Sequence, residues 1–294
     1  MRSRHVIVRT VGYVLYGIVA FAIFVYLMFP YDLLRYRLGE NWSQRNTQLD
    51  VASLRPTFPP GLRLQQVRVA ATNGQTPRVL MQLDTLRAWP KWMSLLAGTL
   101  HAGFEGTLYG GRITGEIRHA TDKGAPVWKG QAHFVDLDVA RYPWSQQNGR
   151  VTVRGRLSGE TTVTMNKRGR VQRGTSNLRL QSVVFTPAET LRLFLRRDLP
   201  CDTLEWKMTM TKRQWKIARL RCQGDDVLVD IRGTITPRYP AGSSKINLQL
   251  KLQSEEAFKQ ELATLGQLVR LNPNPRGELA FKLRGTLSRP RSVR

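Results

Sequence analysis

Residues 246–252, Ile246-Asn247-Leu248-Gln249-Leu250-Lys251-Leu252, decide the fold class, because four branched apolar side chains alternate with three polar ones. A period of two sends successive side chains to opposite faces of a β-strand, so the segment has one apolar and one polar face. Leu279, Phe281 and Leu283 repeat the pattern around Lys282. Val135, Leu137 and Val139 alternate with Asp136 and Asp138. Val227, Val229 and Ile231 do so less cleanly, because Leu228 intervenes. Roughly a dozen such segments run along the chain, with turn residues at the ~8–12-residue spacing of all-β domains. One apolar and one polar face per strand is the signature of a largely antiparallel sheet.

A short element, glycine followed at two residues by Ile or Leu, recurs at Gly111-Arg112-Ile113, Gly155-Arg156-Leu157, Gly233-Thr234-Ile235 and Gly285-Thr286-Leu287. Glycine inside a strand marks a bend, a bulge or a close approach, and the alternative is ordinary hairpin glycines. Three short helices are expected to interrupt the sheet. One covers Pro90 to Leu96. A second opens at Thr186-Pro187-Ala188-Glu189, a capping box with proline at the first helical position. A third follows Ser254-Glu255-Glu256, with Phe258, Leu262, Leu265 and Val269 at helical spacing. These read as lids on a sheet face or sheet end. No linker divides the chain cleanly; the loop from Thr121 to Pro126 is the best candidate.

From Thr10 to Tyr31 a run of 22 residues has no charged side chain. About 20 apolar residues span a hydrocarbon core of ~30 Å. Arg2, Arg4 and Arg9 precede the run, which places the N-terminus in the cytoplasm, although Arg35 and Arg37 follow closely on the other side. Ala20-Phe21-Ala22 fits a signal-peptidase site, but the apolar stretch continues through Phe29, past the ~7–15 residues of a signal-peptide core. A retained anchor is therefore expected, with residues 1–31 as tail and transmembrane segment and 32–294 as one periplasmic β domain. Pro30 to Trp42, with Leu34 and Leu38 four apart, reads as a short amphipathic helix at the membrane surface.

The composition is that of a folded protein, 41% hydrophobic and 9% aromatic, in spite of a net charge of +25. Residues 1–30 account for +3 of that charge, leaving +22 on the rest. Such a surface attracts polyanions. The basic residues sit singly on the polar positions of alternating segments, as Arg179 does between Leu178 and Leu180, and as Lys251, Lys282 and Arg284 do. That pattern suits solvated sheet faces and not a dense nucleic-acid patch. No nucleic-acid partner and no small-molecule substrate is expected.

Motifs that carry chemistry are missing. His5, His101, His119 and His133 lie at no metal-ligand spacing from one another, and no GxSxG, Walker A, GxGxxG or HExxH occurs. Asp136 and Asp138 share a strand face, which here reads as a solvated edge, and Asp225-Asp226 sits in a glycine-led turn. No catalytic residue, cofactor or metal is expected, and the chain is not read as an enzyme. The two cysteines, Cys201 and Cys222, make no CxxC pair. Leu204 to Met210 and Gln214 to Arg221 read as a hairpin turning near Thr211-Lys212. Closing that turn at Met210 and Arg213 sets Cys201 opposite Cys222, so a cross-strand disulfide is expected in an oxidising compartment. A one-residue bulge would break the match, and two buried free thiols are the alternative.

Several segments form an ordered series along the chain. Phe29-Pro30-Tyr31-Asp32 follows the anchor, and Gly61-Leu62-Arg63-Leu64-Gln65-Gln66-Val67 stands as the first strand. Leu95-Leu96-Ala97-Gly98 leads to Leu108-Tyr109-Gly110-Gly111-Arg112-Ile113-Thr114-Gly115, the most distinctive stretch. Leu199-Pro200 before Leu204-Glu205-Trp206, Ser244 ahead of the 246–252 segment, and Leu283-Arg284-Gly285-Thr286-Leu287-Ser288-Arg289-Pro290 complete the series. Taken in order, these segments resemble the AsmA-related form of the type II secretion protein GspN; the resemblance implies a component of the type II secretion machine at the inner membrane and a long, curved, taco-shaped sheet related to AsmA and bridge-like lipid carriers. It implies no catalytic residues.

Two functions follow as expectations. In the first, the chain is a non-enzymatic inner-membrane subunit whose periplasmic sheet contacts other secretion-system proteins. In the second, it is an AsmA-type lipid carrier, its apolar face holding acyl chains and its basic rim meeting anionic head groups. Ile246, Leu248, Leu250, Leu252, Leu279, Phe281 and Leu283 are then the candidate lipid-facing residues. About a dozen strands at ~4.8 Å give a sheet ~60 Å broad, enough for a shuttle or chaperone.

Overall fold

The computed structural model describes residues 47–293 apart from 59, 72–77, 123, 143–150, 168, 188–197, 225–226, 239–240 and 255–277. Before residue 47 it describes nine helical positions, at 13, 16, 17, 20, 21, 24, 28, 33 and 36. Most of the uncharged run 10–31 and of the expected surface helix therefore lies outside the described residues, as do the body of the second expected helix and all of the third. Among the described residues, no helix is long and apolar enough to cross a membrane.

The alternating segments become fourteen strands: β1 Thr47–Thr57, β2 Gly61–Ala71, β3 Arg78–Pro90, β4 His101–Leu108, β5 Gly111–Asp122, β6 Ala125–Asp138, β7 Val151–Asn166, β8 Val171–Pro187, β9 Leu199–Thr211, β10 Trp215–Gln223, β11 Val227–Thr236, β12 Lys245–Ser254, β13 Glu278–Thr286 and β14 Pro290–Val293. One short helix, α1 Trp92–Leu96, interrupts them, with single 3-10 turns at Val139–Arg141 and Ala241–Ser243. All fourteen strands form one sheet in which spatial order equals chain order, and every neighbouring pair is antiparallel. At ~4.8 Å per step the sheet is ~62 Å broad, and the 17 residues of β8 reach ~56 Å at ~3.3 Å each. Because the chain turns back at every strand, connections alternate between two rims. The near rim is the one where β1 starts; the far rim carries the β1–β2 turn, α1 and every second connection after it.

Four expectations are corrected. Pro90 is the last residue of β3, so α1 starts only at Trp92. Thr186 and Pro187 continue β8, opposite Thr152 and Val151, so no capping box forms there. Thr121 and Pro126 face each other across the β5–β6 hairpin of an unbroken sheet, and no domain boundary lies at that turn. Finally, Val135 and Leu137 do not share a face, because β6 spends two residues, Val135 and Asp136, against Ser158 alone between Phe134↔Gly159 and Leu137↔Leu157. This is a β-bulge. Asp136 takes φ 53°, which aspartate tolerates, and its N–H donates to Ser158 Oγ at 3.0 Å. Val135 turns outward, half exposed, while Leu137 is buried.

The recurrent glycine element has two origins. Gly111 and Gly285 sit beside hairpin turns. Gly155 and Gly233 lie within strands, beside register shifts of the sheet. At Gly233 the requirement is plain: φ is 149°, and a Cβ there would stand 2.2 Å from the Asn247 carbonyl oxygen.

The β9–β10 hairpin also differs in register. Its turn is closed one residue later, at Thr211 and Gln214, where the Thr211 hydroxyl donates to the Gln214 carbonyl at 2.7 Å and accepts from its N–H at 3.1 Å. A bulge between Ile217 and Arg219 adds a further step, so Cys222 faces Leu204 and not Cys201. The ladder ends at Gln223↔Thr203, and Gly224 then swings across Pro200 and Cys201. That crossing brings the Cα atoms of Cys201 and Cys222 to 5.9 Å, where a disulfide joins them.

Candidate functional site

Directly opposed residues of an antiparallel pair project to the same face, so the registers trace continuous rows across the sheet. The longest row runs Leu54, Leu64, Leu86, Gly106, Ile113, Phe134, Gly159, Leu178, Trp206, Leu220, Ile231, Leu250, Phe281, one residue from each of thirteen strands. None is charged, and apart from the two glycines every member is large and apolar. Towards the near rim a parallel row runs Leu137, Leu157, Leu180, Leu204, Cys222, Val229, Leu252, Leu279. Towards the far rim another runs Pro90, Ala102, Ile117, Gly130, Val163, Gly174, Met210, Trp215, Ile235, Ile246, Gly285.

The structure thus brings together all seven of the candidate lipid-facing residues. Leu248 faces Leu283, Leu250 faces Phe281, Leu252 faces Leu279, and Ile246 faces Gly285, all on one face of β12 and β13. That face continues through ten or more further strands, which alternation alone does not reveal. Phe134, Leu178, Trp206 and Leu220 belong to it but lie beside bulges or between less regular neighbours. The aromatic side chains of Phe134 and Trp206 were the available signal.

Burial along this face is graded. Val51, Val67, Leu83, Leu108 and Leu137 form one buried cluster, and Val183, Cys201, Leu204 and Cys222 a second, continued by Val227 and Leu279. The middle row between the rims is only half-buried from Leu64 to Phe281, apart from the buried Gly106. Polar groups on the face are few and satisfied in pairs: Thr161 and Ser176, opposed on β7 and β8, share a hydrogen bond of 2.9 Å. The exception is Trp206, whose indole N–H is buried without a hydrogen-bond partner among the described residues.

The other face is polar over the same breadth. Arg55, Arg63, Arg87, Glu105, Thr114, His133, Glu160, Asn177, Lys207 and Arg219 form one row of it. Glu205 accepts from Arg179 at 3.1 Å and from Arg219 at 3.3 Å, and the Arg179 hydrogen bond chiefly holds its carboxyl below the usual range. These are exposed pairs and add little stability.

One polar cluster could suggest catalysis. His101 lies between Ser94, whose Oγ is 3.3 Å from Nδ1, and Glu116, whose Oε2 is 3.2 Å from Nε2. A serine, an imidazole and a carboxylate in sequence are the parts of a nucleophilic relay. Here, however, the Glu116 carboxylate is also taken by the Lys91 ammonium, and that hydrogen bond is the main cause of its lowered pKa. Lys91 and His101 lie on either side of α1 and Ser94 within it, and the Lys91 N–H donates to the His101 carbonyl at 2.8 Å. The cluster therefore pins the α1 connection to β5. Among the described residues, no group of histidine, cysteine and carboxylate side chains could hold a metal ion.

No family model matches the chain, and no curated protein or solved structure matches it.

Proposed function

We propose that this chain is a non-enzymatic envelope protein, held at an inner membrane by residues 10–31, whose sheet shields acyl chains on its apolar face. The observation that carries the proposal is the thirteen-strand row of apolar residues, without a charge and half-buried except at Leu54 and Gly106. A solvated sheet would bury such a face under a second layer. The described residues form a single sheet, so its middle row is available to an apolar ligand. In this reading the sheet curves around the ligand, and strand glycines and bulges supply the bends. Among the described residues, Trp206 carries the unpaired donor at mid-face; its indole N–H is buried, so it would reach an ester carbonyl only where neighbouring side chains part around a ligand. The anchor is supported by the run of 22 uncharged residues and by Phe21, Phe24 and Met28, helical positions 58–70% exposed.

The test is mass spectrometry of lipids co-purifying with the detergent-solubilised chain, compared with Leu250→Thr and Trp206→Phe. Both substitutions are expected to leave the sheet folded, which the melting temperature checks. Leu250→Thr is expected to lower the bound lipid several-fold, and Trp206→Phe to lower it without changing the melting temperature. Equal lipid content in all three would reject the proposal.

A second reading, a subunit of the type II secretion machine, is supported by the ordered resemblance to GspN and by the outer edge of β1, eleven residues long and unpaired among the described residues, onto which a partner strand could add. A pull-down that recovers secretion subunits and no lipid would favour it.

A further inference from the structure

The two rims differ in charge. Among the described residues, the far-rim connections contain seven Lys and Arg (Lys91, Lys167, Arg170, Lys212, Arg213, Arg238 and Arg289) and no Asp or Glu. The described near-rim connections contain one of each sign, Arg141 and Asp198.

The exposed apolar side chains follow the same asymmetry. Of ten large apolar residues exposed beyond residue 46, six stand in far-rim connections, and none in a near-rim connection among the described residues. Phe58 is 90% exposed, Met93 80% and Leu96 84%. They are neighbours: the β1–β2 turn carrying Phe58 is held to β3 by Arg87, which donates to the Phe58 carbonyl at 3.0 Å, and β3 leads directly into α1. The hydrogen bonds from Lys91 and His101 to Glu116 hold α1 in place, so this apolar group is fixed outward and not folded back onto the sheet. Further along the rim, Lys167, Arg170, Lys212 and Arg213 occupy the β7–β8 and β9–β10 turns, all exposed and none in an ion pair with a described residue.

We propose that the far rim docks on the surface of an anionic phospholipid bilayer, with Phe58, Trp92, Met93 and Leu96 inserted at the interface and the cationic turns lying over the head groups. Exposed apolar side chains beside unpaired cations are the combination that holds a protein on an anionic membrane surface. A protein partner would have to supply acidic side chains and a matching apolar pocket together, whereas an anionic bilayer presents head-group charge over an apolar interior along the whole rim. The proposal rests on the lipid-shielding reading, since a rim seated on a bilayer opens the apolar face towards it.

The experiment uses the full chain anchored in vesicles of phosphatidylcholine, to which a second, labelled vesicle population is added. Capture of vesicles with about a third phosphatidylglycerol is expected, weakening as salt screens the charges, while pure phosphatidylcholine vesicles are left free. Reversing Lys167, Arg170, Lys212 and Arg213 together to glutamate is expected to weaken capture on the order of a hundredfold or more. Reversing Arg63, Arg68, Lys282 and Arg284 on the polar face should change it about threefold or less, at equal net charge. A Trp92→Ser, Met93→Ser, Leu96→Ser variant should weaken capture while keeping the preference for anionic lipid. Capture that ignores vesicle charge, no capture at all, or equal losses from the two sets of reversals would overturn the proposal. Lipid co-purifying with the same preparations separates the two ideas: bound lipid without capture rejects the docking rim alone, and capture without bound lipid rejects the shielding face alone.

Discussion

Gly159 and Gly233 occupy places where no other side chain fits. Each has a φ in the left-handed region, 141° and 149°, and at each a Cβ would stand 2.2 Å from a neighbouring carbonyl oxygen. Gly233→Ala is expected to cost roughly 2–3 kcal/mol, read from urea unfolding, because strain and contact add. Gly130→Ala, whose Cβ would meet only ordinary contacts from 3.6 Å outwards, should be neutral or slightly stabilising. At the same scale, Glu116 links pH to the α1 anchorage. The Lys91 hydrogen bond lowers its folded-state pKa, so its contribution is complete above the ordinary carboxylate range and is lost as pH falls through the lowered value. With both partners about 40% exposed, the effect is a few tenths of a kcal/mol. The stability difference between the native chain and Glu116→Gln should vanish on acidification; a difference that persists at low pH would remove Glu116 from this role.

Among the elements, the β9–β10 hairpin shows what alternation can and cannot give. Leu204, Trp206 and Leu220 mark two strands whatever the register, and the sequence identifies both. The register depends on details that no period reports: a threonine hydroxyl that closes the turn one residue late, and a bulge after Ile217. Val135 illustrates the same limit, since a bulge at Asp136 turns it to the solvent while the apolar pattern runs straight through. The Pro90 and Thr186-Pro187 signals were locally sound helix starts, overridden by strand pairing with Ala102 and with Val151 and Thr152. In contrast, β12 and β13 are regular, and there the candidate face was legible residue by residue. The Cys201–Cys222 bond closes a loop of 21 residues, worth about 3 kcal/mol if it forms in the native compartment. Replacing both cysteines by serine should lower the urea midpoint accordingly, and the unfolded native chain should show no reactive thiol without reductant. Two reactive thiols would refute the bond.

For the molecule as a whole, orientation is the first prediction. A reporter active only in the periplasm is expected to work when fused after Arg294, since Arg2, Arg4 and Arg9 precede the uncharged run; activity of a cytoplasm-only reporter at that position would overturn the placement. The strand order has a consequence of another kind. Because each strand pairs only with those before and after it in the chain, no strand pairing among the described residues has to wait for a distant segment. Formation of such a sheet is closer to growth of a ribbon from one end than to collapse around a centre. A chain drawn across a membrane from its anchored end could lay down β1, then β2 upon it, and so on, with the last strand added always serving as the template for the next. The exposed edge that makes large sheets hazardous would then move along with synthesis.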